Sequence, residues 1–137
     1  MNAKEQLERL NDLYERLNDK QSRREKMVSA ATNVTMQLEG DRVQTSGSKD
    51  RVGTLSGMIV DMDMQIARLL EEYSTTLQIV FGLMTKLEKQ DHFDVIFHRY
   101  IEHKTIEETA DIMCRGTEAI KKIQRDAIAG LEDIFEK

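Results

Sequence analysis

Residues 92–134, HFDVIFHRYIEHKTIEETADIMCRGTEAIKKIQRDAIAGLEDI, decide the fold predicted for this chain. Two amphipathic patterns lie within the stretch, one opening at Thr105 and the other at Thr117, and only Cys114 to Gly116 separate them. A connection this short permits only a sharp bend between two helices. The first helix opens with Thr105 and Glu108 at the spacing of a capping box, in which each side chain bonds the other residue's backbone amide. The layout is that of a helix-turn-helix unit.

The second helix of this unit, Thr117 to about Phe135, has two different sides. Seven residues of the stretch are predicted to share one core: Ile106, Ala110, Met113, Ile120, Ile123, Ala127 and Leu131. Polar residues then remain on the other side of the N-terminal half of the last helix, namely Thr117, Glu118, Lys121, Lys122 and Arg125, and Gln124 in the same half is a sixth candidate donor. In a major groove such side chains contact phosphates and base edges. These six residues are therefore predicted to bind double-stranded DNA, with a solvated helix face as the alternative.

The rest of the chain predicts an all-α protein. It has no Pro, aromatic residues make up only 5% of it, and eight Met suit irregular helix packing. Apolar residues spaced by three and four predict two long amphipathic helices at 2–38 and 54–89, joined by a Gly- and Ser-containing loop at 39–53. These two helices form either a hairpin within the chain or a coiled coil between subunits. We predict two domains, 1–90 with the long helices and 91–137 with a three-helix helix-turn-helix domain.

The distribution of charged residues gives evidence both for and against DNA binding. The chain carries a net charge of −5, and residues 91–137, with seven Lys/Arg against eleven Asp/Glu, are its most acidic part. That acidity favours an alternative function, a helical protein-interaction module that keeps the fold without autonomous DNA binding. Basic residues elsewhere are candidate phosphate contacts: Lys20, Arg23, Arg24 and Lys26 in the first long helix, and Arg42, Lys49 and Arg51 in the loop. A solvated helix face and a solvated connector are the respective alternatives.

Enzymatic classes find no support in the sequence. No phosphate-binding glycine pattern is present, and Cys114 has no histidine close to it in sequence. Asp94, His98 and His103 make a poor metal site because His103 turns away, so surface histidines explain them better. We therefore predict no catalytic residue, no metal and no cofactor. The single cysteine, the charged N-terminus and the short apolar runs predict a cytoplasmic protein without membrane association.

The C-terminal third resembles region four of bacterial sigma factors. The resemblance lies in Arg99-Tyr100-Ile101, in Thr105-x-x-Glu108-x-Ala110, and in Ala119-Ile120-Lys121 followed by Ala127 and Leu131. It implies a domain that reads promoter DNA and contacts host RNA polymerase. The chain departs from the family pattern at Thr109, where an aliphatic residue is usual, at Arg115, where the turn is usually apolar, and at Gly116, which replaces a capping Ser.

Residues 41–50, DRVQTSGSKD, carry a second resemblance that extends over nearly the whole chain. They are similar to the D-x-V-Q-x-S segment of small proteins from phages and prophages of Gram-positive bacteria, which have the same order of long helix, loop, long helix and region-four-like end. The resemblance implies a late-gene transcription regulator that acts in a bacterial host cell. A third interpretation is a DNA-packaging protein like the small terminase subunits, although these usually carry the helix-turn-helix first. A homodimer through the long helices is also predicted.

Overall fold

The computed structural model describes residues 2–40 and 46–136, with side-chain surroundings for 2–33 and 53–136. Within that part the chain is helical and has no strand, which confirms the all-α class. The helices are α1 (Ala3–Gly40), α2 (Ser46–Met84), α3 (Gln90–Ile96), α4 (Ile106–Met113) and α5 (Thr117–Glu136). A π-helical turn, Phe97–Ile101, follows α3 directly. None of the helices described is both long and apolar enough to cross a membrane.

The predicted loop at 39–53 is wrong at both of its ends. Residues 39–40 belong to α1 and residues 46–53 belong to α2, while 41–45 lie outside the described residues. Glycine costs a helix about 1 kcal/mol and, unlike proline, leaves the backbone hydrogen bonds in place, so a long flanking helix tolerates it. α2 also ends earlier than predicted, at Met84, where the amides of Lys86 and Leu87 turn back onto the carbonyls of Leu83 and Met84 at 3.1 and 3.0 Å.

By its internal contacts the chain divides into two compact units. One consists of Met1–Tyr14 together with Glu72–Lys137, and the other is Glu15–Glu71. This division differs from the predicted boundary after residue 90, because the first unit is built around a core to which both ends of the chain contribute. The buried members of that core are Ala3, Leu7, Leu10, Val80, Met84, Ile96, Tyr100, Ala127 and Leu131.

A second, smaller core in the same unit joins α3, α4 and α5. Val95, Ala110 and Ile120 are its buried members, and Ile106, Met113 and Ile123 pack against them. The prediction of one shared core for the C-terminal third is therefore wrong in part. The N-terminal half of α5 contributes Ile120 and Ile123 to this smaller core, whereas Ala127 and Leu131 in its C-terminal half belong to the larger core, which also contains residues of α1, α2 and α3.

The start of α1 is fixed by residues from both ends of the chain. Asn2 Oδ1 accepts a hydrogen bond from the Glu5 amide at 2.8 Å. The Glu132 carboxylate of α5 accepts from the amides of Ala3 and Lys4 at 3.3 and 2.8 Å. Amides of a first helical turn have no partner within their own helix. Glu132 therefore attaches the last helix to the first one.

Candidate nucleic-acid interface

The start of α4 is the local feature that the sequence predicted in most detail. Thr105 Oγ1 accepts from the Glu108 amide at 3.1 Å, and Glu108 Oε1 accepts from the Thr105 amide at 3.1 Å, so both halves of the capping box form. The hydrogen bond that the Thr105 amide donates to the carboxylate is the largest cause that lowers the pKa of the Glu108 carboxyl. Thr109 is fully buried and donates its hydroxyl to the Thr105 carbonyl at 2.8 Å. A polar residue therefore fits where region four usually carries an aliphatic one.

The turn between α4 and α5 is held by Arg115, at a position where the region-four pattern commonly has an apolar residue. Cys114 ends α4 in the left-handed conformation with φ of 55°. The Arg115 amide then donates to the Ala110 carbonyl at 3.0 Å, and the Arg115 guanidinium donates to Asp91 of α3 at 2.6 Å. Because Arg115 is paired with α3, the turn does not need an apolar residue at this position.

The two sides of α5 differ as predicted in its N-terminal half. Ile120 and Ala127 are fully buried and Ile123 is half-buried. Five of the six predicted DNA-binding residues lie on the exposed side: Thr117, Glu118, Lys121, Lys122 and Arg125. We call these five residues the α5 polar face. It is contiguous over two turns of a helix whose opposite side is fixed in the core.

Charges on the α5 polar face have mixed sign. Lys121 Nζ lies 3.3 Å from Glu118 Oε1, with the two side chains 54% and 87% exposed. An exposed pair of this kind contributes only a few tenths of a kcal/mol, so Lys121 can exchange Glu118 for a phosphate at little cost. Asp126 is exposed beside Arg125. The face therefore offers three cations to a ligand, against two carboxylates that reduce its positive potential.

Gln124, the sixth predicted residue, has an internal partner. Its Oε1 accepts from Arg99 Nε at 2.8 Å, and the same guanidinium donates to the Lys104 carbonyl at 2.6 Å. Arg99 thus ties α5 to the segment that leads into α4. Arg99 belongs to the Arg99-Tyr100-Ile101 motif of the region-four resemblance. The sequence therefore singled out this residue but did not predict its contact with Gln124. We interpret Arg99 as a positioning residue for the α5 polar face.

Sequence reasoning missed the role of His103, which was interpreted as a surface histidine. Its ring stacks on Tyr14 with centroids 3.8 Å apart. Nδ1 lies 2.9 Å from Asn11 Oδ1 and Nε2 lies 2.7 Å from the Tyr73 hydroxyl. An amide oxygen only accepts, so Nδ1 carries the proton and Nε2 of the neutral ring accepts from Tyr73. His103 therefore connects α1 and α2 to the segment before α4, and burial lowers its pKa.

The His103 contacts predict a stability that depends on pH. The unfolded ring has a pKa near 6.5 and the folded one a lower value, so as pH falls below about 6.5 the unfolded state binds more protons and stability is lost. We expect the urea midpoint of the wild type to fall between pH 7.5 and pH 5, and His103→Gln to depend less on pH. At pH 7.5 the substitution should cost roughly 1–3 kcal/mol through lost hydrogen bonds and stacking. Parallel pH profiles for the two proteins would contradict this role.

The basic residues of α1 are already partly neutralised. Arg24 pairs with Asp63 of α2, and this hydrogen bond raises the pKa of the Arg24 guanidinium. Arg23 lies 3.1 Å from Asp19. Lys26 is exposed and Lys20 is half-buried. Of the other candidate phosphate contacts, Arg42 and the side chains of Lys49 and Arg51 lie outside the described residues.

A metal centre is not formed by the histidines. Among the residues that the structure describes, no group of three His, Cys, Asp or Glu could hold a metal ion. His98 pairs with Glu102, whereas His103 bonds Asn11 and Tyr73. Asp94 accepts a hydrogen bond from Gln90 at 2.8 Å, so each of the three candidate ligands has a different partner.

Comparison of the chain with protein-family models, with curated proteins and with solved structures finds no match.

Proposed function

We propose that the chain is a phage- or prophage-type transcription regulator that binds double-stranded DNA through a helix-turn-helix formed by α4, the turn and α5. One observation carries the proposal: the α5 polar face is exposed over two turns while the opposite side of α5 is buried. A helix in a major groove needs this combination, because the fold must hold one side while the other reaches base edges and phosphates. Such a regulator would act in the bacterial cytoplasm.

The long helices would form the rest of the regulator. We infer that α1 and α2 fold back on each other as an antiparallel hairpin. Support comes from two ion pairs, Arg9 with Glu72 at 3.1 Å and Arg24 with Asp63, in which the α1 positions rise along the chain as the α2 positions fall. Host RNA polymerase is a partner implied by the region-four resemblance alone.

A second candidate function follows from the net charge of −4 in residues 91–137. The same helices would then serve as a protein-interaction module that does not bind DNA by itself. Acidic surroundings weaken the attraction of phosphate groups, and Gln124 is occupied by Arg99. Binding measurements separate the two functions.

The experiment measures binding of the full chain to labelled fragments of the genome that encodes it, at 50 and 200 mM NaCl, with and without host RNA polymerase. If three phosphates are contacted, the affinity should fall about 40-fold between the two salt concentrations, since each contact contributes about 0.9 to the logarithmic salt slope. Binding of one fragment in preference to the others supports a regulator. Absence of binding at 50 mM NaCl with polymerase present contradicts the proposal and favours the interaction module.

A further inference from the structure

The unit Glu15–Glu71 leaves one side of α2 uncovered. Its predicted seam is at least half-buried at Leu55, Ile59, Met62, Ile66 and Leu69, and the Arg24–Asp63 pair joins α1 to α2 within this unit. About 150° around the helix from that seam lie Val60, Met64 and Ala67. Val60 is 57% exposed, Met64 is 54% exposed and Ala67 is exposed. The seam is thus used within the chain, whereas this other side of α2 leaves apolar side chains free for a contact with a second molecule.

Two glycines continue the uncovered side toward the start of α2. Gly53 and Gly57 lie in the helix at the same angular position as Val60 and Met64, and a Cβ built on either would meet no described atom within 4 Å. Glycine in a helix interior costs about 1 kcal/mol relative to alanine, and nothing described in the chain requires it here. Because glycine has no side chain, the backbone of another helix can approach α2 closely at these two positions. We call residues Gly53, Gly57, Val60, Met64 and Ala67 the outer face of α2.

The charges beside the outer face fit a second copy of the same helix. Asp61 and Arg68 are seven residues apart, so they lie along the same edge of the outer face. Both are exposed, and neither makes an ion pair with any residue that the structure describes. In an antiparallel pair about a two-fold axis beside Met64, equivalent edges meet, which places Asp61 opposite Arg68 of the second copy and Arg68 opposite Asp61. A parallel pair would bring Arg68 toward Asp63, which Arg24 already neutralises.

We propose that the chain forms a two-fold symmetric dimer through antiparallel contact of the outer faces of α2, with reciprocal Asp61–Arg68 ion pairs along one edge. Met64 lies at the crossing point, where its flexible thioether adapts to its symmetry-related copy. Val60 and Ala67 pack on either side of it, and the glycines let the ends of the contact approach. The proposal does not depend on DNA binding, and its test contains no DNA.

The test is sedimentation equilibrium of the full chain from 1 to 100 µM, with helicity monitored by circular dichroism. The wild type should be a dimer. Arg68→Asp places like charges opposite each other twice and should weaken dimerisation at least about ten-fold. Asp61→Arg/Arg68→Asp exchanges the charges and should restore the dimer to within about three-fold of the wild type. Met64→Glu should give a monomer of unchanged helicity, since the residue is exposed in the single chain.

A matched control comes from the other unit. Ile112 on α4 is 50% exposed, so Ile112→Glu places the same new charge on a different apolar surface and should leave the dimer intact. A wild type that stays monomeric at 100 µM overturns the proposal. So does a charge exchange that fails to restore what Arg68→Asp lost, an assembly larger than a dimer, or a dimer that Ile112→Glu disrupts.

Discussion

Residues 91–137 produced without the rest of the chain are expected to be largely unfolded at 25 °C. Ile96, Tyr100, Ala127 and Leu131 are buried in the full chain, against side chains that include Leu7, Leu10, Val80 and Met84 of α1 and α2. Removing that cover exposes an apolar surface worth roughly 1.5–3 kcal/mol for each large side chain. The smaller core around Val95, Ala110 and Ile120 is then the one core of the unit that is left complete. A fragment of this size rarely folds on such a core.

Far-UV circular dichroism and urea titration of the fragment measure this effect. A matched control protein joins residues 1–14 to residues 72–137 through a flexible linker and so keeps one compact unit while deleting the other. We expect the joined protein to unfold cooperatively and the 91–137 fragment to show no cooperative transition. If the fragment melts as sharply as the joined protein, the C-terminal third is an independent domain, and the core shared with α1 and α2 is not needed for its folding.

The features predicted correctly from the sequence depend on residues that lie close together along the chain. Thr105 and Glu108 are three residues apart, and the turn at Cys114 follows from an interrupted helical pattern, so both were confirmed. The exposed and buried sides of α5 follow from helical periodicity in the same way. Periodicity does not identify which core an apolar face joins. The prediction that Ala127 and Leu131 share a core with α4 is therefore wrong, because both belong to the core that includes residues of α1 and α2.

Long-range polar contacts were beyond prediction for a different reason. Glu132 bonds amides 128 and 129 positions away, and His103 bonds Asn11 92 positions away. Glu132, His103 and Asn11 are polar residue types that also occur on exposed surfaces, so the sequence does not indicate these distant contacts. His103 also has a φ of 57°, a left-handed conformation that histidine adopts only occasionally and that no neighbouring residue signals. The same limit applies to Gln124, whose position on α5 was predicted but whose bond to Arg99 was not.

Replacing the three cations of the α5 polar face should abolish most DNA binding. In Lys121→Ala/Lys122→Ala/Arg125→Ala the logarithmic salt slope should fall by about 2.7, and the affinity at 100 mM NaCl should fall roughly 100-fold or more. All three side chains are exposed, so the free energy of unfolding should change by less than about 0.5 kcal/mol for each substitution. Fluorescence anisotropy on a bound fragment gives the slope, and urea titration gives the stability.

The control for this variant must lose the same charge elsewhere in the same unit. Lys4, Lys86 and Lys89 are exposed and lie off the α5 polar face, so replacing these three by alanine gives an identical change in net charge. The control should lower the salt slope by less than about 1, because distant charges act only through the screened overall field. Equal losses in the two triple variants would mean that DNA responds to net charge alone, and the assignment to α5 would be wrong.

The acidity of the C-terminal third should enlarge the difference in DNA affinity between the two triple variants. Once its three cations are removed, the N-terminal half of α5 presents only Glu118 and Asp126 as charged groups, so it repels phosphate as well as failing to attract it. In the control variant these carboxylates remain balanced by Lys121, Lys122 and Arg125. The difference between the two triple variants should therefore exceed the effect of three lost contacts and shrink as salt screens the repulsion. A difference that stays constant from 50 to 300 mM NaCl would indicate non-ionic contacts and contradict binding through phosphates.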